Sequence, residues 1–142
     1  MRKIFLMLLL AVGGADAAER VMASGQSPVF PGDVIDLREM IFVLFPKRAC
    51  ELPLAMAKDM RAGTAKYYDG YHKICFGETL DGYVVTIDDT GHTNTAPKGG
   101  YTVAELREEE PTATVITSPY NRDKYEPCRK KGSGKWCLRR DF

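Results

Sequence analysis

The chain has 142 residues, 44% of them hydrophobic and 27% charged, with 20 basic against 19 acidic side chains. That length suits a single domain that buries about two thirds of its unfolded surface without needing a partner. A net charge near zero excludes a whole-molecule attraction to polyanions, so electrostatic recognition has to come from local clusters.

At the start of the chain, Arg2 and Lys3 precede an uncharged apolar run from Ile4 to Val12, followed by small residues ending at Ala15-Asp16-Ala17. This is the order of a cleavable secretory signal over residues 1–17, with cleavage expected after Ala17. The apolar run falls short of the roughly 20 residues that cross a bilayer core, so no membrane span is expected after cleavage. No cysteine lies near the cleavage site to carry a lipid. Losing Arg2, Lys3 and Asp16 takes the 20 basic and 19 acidic residues to 18 of each. The mature chain is thus expected to be neutral, and periplasmic or secreted.

Next, Asp33 has the position of an N-cap for a short helix through Arg38, with Val34 and Leu37 on one side. The apolar run Met40 to Phe45 is rich in Ile, Phe and Val and reads as a strand that Pro46 stops, leading into Cys50. Between Leu52 and Arg61, the Ala and Met residues suggest one or two helical turns.

The dipeptides Asp69-Gly70 and Asp81-Gly82 sit between Tyr-, Val- and Ile-rich runs and signal tight hairpins. Strands are expected at Gly63 to Tyr68, Tyr71 to Leu80 and Tyr83 to Asp88. After the turn Asp89-Thr90-Gly91, a fourth should end before Pro97. With two-residue loops, Tyr68 opposes Tyr71, Leu80 opposes Tyr83 and Phe76 opposes Ile87. Alternation then places Ala65, Tyr67, His72, Ile74, Phe76, Leu80, Tyr83, Val85 and Ile87 on the core face, and Cys75 on the more polar face with Val84, Thr86 and Asp88. A bond from Cys50 to Cys75 would require the preceding segment to cross or border that polar face.

Downstream, Thr102 and Glu105 fit a capping box for a two-turn helix that Pro111 ends. The remainder, with Pro119, Asn121 and Pro127, reads as an extended basic arm. The expected architecture is mainly β within the α+β class: an antiparallel meander of about four strands with one or two short helices over residues 18–110, then an arm over 111–142.

The four cysteines of an exported chain read as two structural disulfides, for which sequence allows three connectivities. Cys50 with Cys75 and Cys128 with Cys137 is the favoured map, because the second pair brackets a short loop centred on Gly132-Ser133-Gly134. Loop closure alone would make these bonds worth roughly 3.5 and 2.7 kcal/mol. The absence of Cys-x-x-Cys spacing argues against a thioredoxin-like or zinc-ribbon role.

Cys50, the Ala/Met-rich stretch after it, Cys75-Phe76-Gly77, Asp81-Gly82-Tyr83-Val84-Val85, a second turn and Pro97 together resemble a group of small exported proteins of bacterial and prophage genomes. The resemblance covers residues 50–101. It departs from that group where its members carry Trp after the second cysteine and this chain carries Phe76. It implies a bacterial or phage origin and the meander, and it brings no function with it.

Two places can hold chemistry. The expected register sets His72 beside the turn at Gly91, near His92, Asp88 and Asp89. Two imidazoles and a carboxylate are a candidate zinc or proton-transfer set if three ligands converge on one point. The ordinary alternative is a turn chosen for its backbone angles. The other place is the arm, where Arg129, Lys130, Lys131, Lys135 and Trp136 lie between Cys128 and Cys137. A cyclised cationic loop loses little entropy on meeting an anionic envelope component or acidic protein surface, and Trp136 can stack or insert. Export disfavours nucleic acid as the partner. No serine sits in a strand-to-helix elbow, no phosphate-cradling glycine loop is present, and no cofactor is implied. The expectation is a non-enzymatic binding protein, with a small metal-dependent hydrolase using His72, His92 and Asp89 as the alternative.

Overall fold

Three consecutive apolar residues, Val21, Met22 and Ala23, dictate the architecture. In a computed structural model that describes residues 18–108, 111–128 and 136–139, all three are buried in strand β1, Arg20–Ser24. Successive side chains of a strand point to opposite faces, so β1 must have cover on both. It obtains that cover from an antiparallel sheet of nine strands. The others are β2 (Val34–Asp36), β3 (Phe42–Ala49), β4 (Arg61–Tyr67), β5 (Gly70–Glu78), β6 (Tyr83–Asp88), β7 (Thr93–Pro97), β8 (Thr102–Leu106) and β9 (Thr112–Thr117). Their spatial order is β2-β9-β8-β1-β3-β4-β5-β6-β7.

The pleat sorts the core into two halves on opposite faces. Val21 and Ala23 join Val43, Ile35, Ala104, Ala113 and Val115 on one face. Met22 joins Leu44, Ala65, Ile74, Phe76, Val84 and Tyr101 on the other. Strands β1 and β3 contribute to both, since Val43 and Leu44 are neighbours with opposite directions. Each fully buried Val, Leu, Ile or Phe side chain is worth about 1.5–3 kcal/mol.

The expected meander is present as β4 to β7, but it forms one end of a nine-stranded sheet instead of a four-stranded whole. No α-helix occurs among the described residues; helical turns are single 3-10 turns such as Leu37–Glu39 and Ala57–Asp59. No helix there is long and apolar enough to cross a membrane. Residues 1–17, expected as a secretory signal, lie outside the described residues.

Asp33 caps no helix. Its Oδ2 accepts the Phe30 amide at 2.9 Å and its own amide donates to the Phe30 carbonyl at 3.0 Å, closing a turn. Val34 to Asp36 are thereby released to pair with β9. The Thr102–Glu105 capping-box pattern is overridden too, because Thr102 and Ala104 are buried at alternate positions and β8 pairs with both β1 and β9. Residues 112–117, expected in the arm, alternate Ala113 and Val115 into the core and are an inner strand. Strand β3 runs through Pro46, which falls in a break in register with β4 between Phe45 and Ala49, where its missing amide forfeits no ladder bond.

Neither hairpin uses its Asp-Gly pair as the whole loop. In the first, Tyr67 opposes Gly70, so Tyr68-Asp69 is the loop and the two-place shift preserves the faces. In the second, the Thr79 amide and the Tyr83 carbonyl pair at 2.9 Å around Leu80-Asp81-Gly82. Gly82 occupies φ 86°, a conformation that side chains resist. Thr79 Oγ1 accepts the Tyr83 amide at 3.0 Å and fixes this longer loop. The extra residue moves β6 by one, so Phe76 opposes Thr86. Val84, Thr86 and Asp88 therefore face the core, Tyr83, Val85 and Ile87 share the face of Cys75, and Leu80 is fully exposed.

Both disulfides follow the favoured map. Cys50 and Cys75 bond with Cα atoms 5.4 Å apart, and Cys128 and Cys137 at 5.1 Å. The Cys50 segment borders the polar face, where Glu51 and Leu52 share a cleft of about 420 Å³ with Thr64 and Lys73.

At Gly63, on β4, neighbouring atoms of β3 and β5 leave no room for a side chain. An added Cβ would lie 2.8 Å from the Val43 carbonyl oxygen and 3.0 Å from Ile74 and Leu44 side-chain carbons. Gly63→Ala is expected to lose about 1–3 kcal/mol in urea unfolding. Gly77→Ala, with nothing within 4 Å of the added carbon, should hold the wild-type midpoint or raise it. Equal midpoints for the two variants would contradict this packing.

Candidate functional site

Phe30 is fully buried although it lies in the connection between β1 and β2. Its cover comes from the C-terminal part of the chain. The Trp136 ring meets it edge-on at 5.0 Å between centroids, and Tyr125 does so at 5.8 Å. Tyr120 packs perpendicular to Tyr125 at 5.9 Å. The Arg122 guanidinium sits 4.8 Å from the Phe30 ring centre and 5.7 Å from that of Trp136, while its Nη2 reaches Asp33 Oδ1 at 2.8 Å. Cation–π and ionic contacts thus converge on one arginine. Ser118 Oγ donates to the Val29 carbonyl at 2.6 Å and ties the end of β9 to the same connection.

A second, two-stranded sheet stands on this aromatic base: β10 (Tyr125–Pro127) and β11 (Trp136–Leu138). Tyr125 opposes Leu138, Glu126 opposes Cys137, and Pro127 opposes Trp136. The Arg139 amide donates to the Lys124 carbonyl at 2.9 Å, and the Cys128–Cys137 bond closes the other end. Arg129, Lys130, Lys131 and Lys135 lie outside the described residues. Their flanks do not, and both are fixed next to each other. Trp136, expected to be available for stacking, is half-buried and packs edge-on against Phe30. Its remaining surface borders an open cleft of about 610 Å³ with Pro28, Met40, Asp33, Asp36 and Glu39.

The histidine site forms in part. His72 lies on β5, its Nδ1 3.1 Å from Asp89 Oδ1 and its Nε2 3.2 Å from Asp69 Oδ1. The Tyr67 ring tilts against the imidazole at 5.1 Å. Asp89 was legible as a partner of His72. Asp69 was read only as a turn residue, though a turn three positions before a strand histidine brings its carboxylate within reach. His92 takes part through its backbone: its amide donates to Asp88 Oδ1 at 2.9 Å, and its side chain is exposed.

Asp88 is 4% exposed, and its Oδ1 also accepts the Thr90 hydroxyl at 2.7 Å and amide at 2.9 Å. Burial opposes its ionisation, but these bonds prevail and hold its carboxyl below the usual range. Tyr67, desolvated and bonded to Asp88, is pushed up. His72 is raised by its bonds to Asp89 and then Asp69, against partial burial. The two carboxylates approach different ring nitrogens, so they do not converge on one point as metal ligands must. Among the described residues, no three His, Cys, Asp or Glu side chains are grouped to hold a metal ion.

No protein family, curated protein or solved structure matches this chain.

Trp136 is the chain's single tryptophan, so its emission reports the aromatic base directly. Phe30→Ala is expected to cost about 3–5 kcal/mol and to shift native-state emission to the red. Unchanged emission in a folded variant would mean that the C-terminal hairpin does not rest on Phe30.

Proposed function

We propose that the mature chain is an exported, non-enzymatic binding protein of the cell envelope that engages an anionic partner through Arg129, Lys130, Lys131 and Lys135. The observation that supports this reading is the anchoring of that basic run. Pro127 pairs with Trp136 and Cys128 bonds to Cys137, on a base packed against Phe30. Holding both ends of a cationic segment reduces the entropy it loses on binding. Phosphate or carboxylate groups are the natural complements, as on an anionic lipid, an acidic glycan or an acidic protein surface. Two disulfides suit an oxidising compartment outside the cytosol. A metal-dependent hydrolase built on His72, His92 and Asp89 has less support, because the ring nitrogens of His72 are already engaged and no three His, Cys, Asp or Glu side chains among the described residues are grouped to hold a metal ion.

Vesicles containing phosphatidylglycerol serve as a defined anionic surface. At low salt the wild-type protein is expected to co-float with them and not with phosphatidylcholine vesicles. At about 1 kcal/mol per cation, replacing Lys130, Lys131 and Lys135 with Gln should weaken binding on the order of a hundredfold. Binding that survives the triple substitution, or that ignores added salt, would overturn the role given to this run.

A further inference from the structure

We infer that His72 is a proton-dependent clasp that joins the β4–β5 turn to the β6–β7 turn and fixes one end of the sheet only while its ring carries both protons. The inference stands apart from the basic run and is drawn from geometry. Nδ1 faces Asp89 Oδ1 at 3.1 Å and Nε2 faces Asp69 Oδ1 at 3.2 Å. An ionised carboxylate only accepts, and a neutral imidazole has one N–H to give. Both bonds exist together only with the imidazolium.

The turns so joined belong to different hairpins: Asp69 sits between β4 and β5, and Asp89 between β6 and β7. Ladder pairing fixes each turn within its own hairpin, and the side-chain bridge across β5 links the two. The charged and titratable groups around the ring agree with this role. Asp69 and Asp89 flank it, Tyr67 covers one side, and Asp88 lies below with its carboxylate occupied by the turn's donors. Tyr67 is pushed above its ordinary phenol value and is neutral near pH 7. Lys66 and Lys73 project to the other face of the sheet, where Lys73 pairs with Glu51. His92 is exposed on the same turn and acts electrostatically on Asp88.

The direction of the pH effect follows from linkage. His72 is raised above its ordinary value of 6.5 by its two acceptors. The clasp therefore contributes fully below about 6.5 and is lost as pH rises through the raised folded value. Above that point one acceptor is orphaned, and the turn carrying Thr90 and Gly91 is released together with the edge strand β7.

The test is a nitrogen-15 NMR titration of the full mature chain, combined with amide exchange. Below its midpoint, His72 should show both ring nitrogens protonated, with the midpoint above 6.5, and Asp69→Asn with Asp89→Asn should bring that midpoint down. Protection of the His92 amide should fall through the same pH range in the wild type, beyond the intrinsic base catalysis seen in His72→Gln. A midpoint at or below 6.5, one that the two Asn substitutions leave unmoved, or equal protection profiles in wild type and His72→Gln would each overturn the clasp. The wild-type titration alone decides the first point if a variant fails to fold.

Discussion

A sheet without helices has to provide its own cover, and that requirement governs this molecule. The stretch Val21-Met22-Ala23 is apolar on both sides of the pleat, so β1 cannot sit at an edge or against water. Placing it between β3 and β8 commits one half of the sheet to a core on one face and the other half to a core on the opposite face. Short strands suffice, because each half needs only a few inward positions. The small side chains Ala23, Ala65, Ala104 and Ala113 are fully buried within these two cores.

The same need for cover explains the C-terminal region. Phe30 is fully buried outside the two core clusters of the main sheet, and Tyr125 and Trp136 pack their rings against it. Recruiting them draws the second disulfide and the β10–β11 pair onto the body of the protein. A segment that reads in sequence as a loose arm thus begins only after β9 and is anchored at a defined place. Trp136 illustrates the exchange: the ring that sequence offers as a ligand-facing aromatic also packs edge-on against Phe30.

Legibility in the sequence tracked locality. Strands β4 to β7 were readable because Asp-Gly and Asp-Thr-Gly turns separate β-rich runs, and the disulfide map was readable because Cys128 and Cys137 bracket a short loop, which leaves Cys50 with Cys75. The exact loop length was not readable, since Thr79 and Gly82 act together to lengthen a turn that Asp81-Gly82 alone would make shorter. That single residue exchanged Val85 and Ile87 for Val84 and Thr86 in the core. Strands β2, β8 and β9 were missed because their partners are distant in sequence and because Asp33, Thr102 and Glu105 mimic helix starts. Of the histidine site, His72 beside Asp89 was legible from register, and it survived the one-residue error because the turn is broad enough to meet His72 in either alignment. Asp69 was hidden by its obvious role as a turn former, and His92 was overvalued because its amide, not its ring, is what the turn uses.

The pairing of Arg20 with Glu105 and of Ala23 with Thr102 has a consequence in time. The meander and the C-terminal hairpin are built from near neighbours and can assemble early, each with its own disulfide. Strand β1 comes first among the described strands yet finds its second flank only after β8 has been made, and β2 must await β9. Non-local closure of this kind is slow, because loop entropy is lost before contacts compensate it. The first of the described strands is therefore among the last to be enclosed, and its apolar triplet stays open to wrong contacts until then.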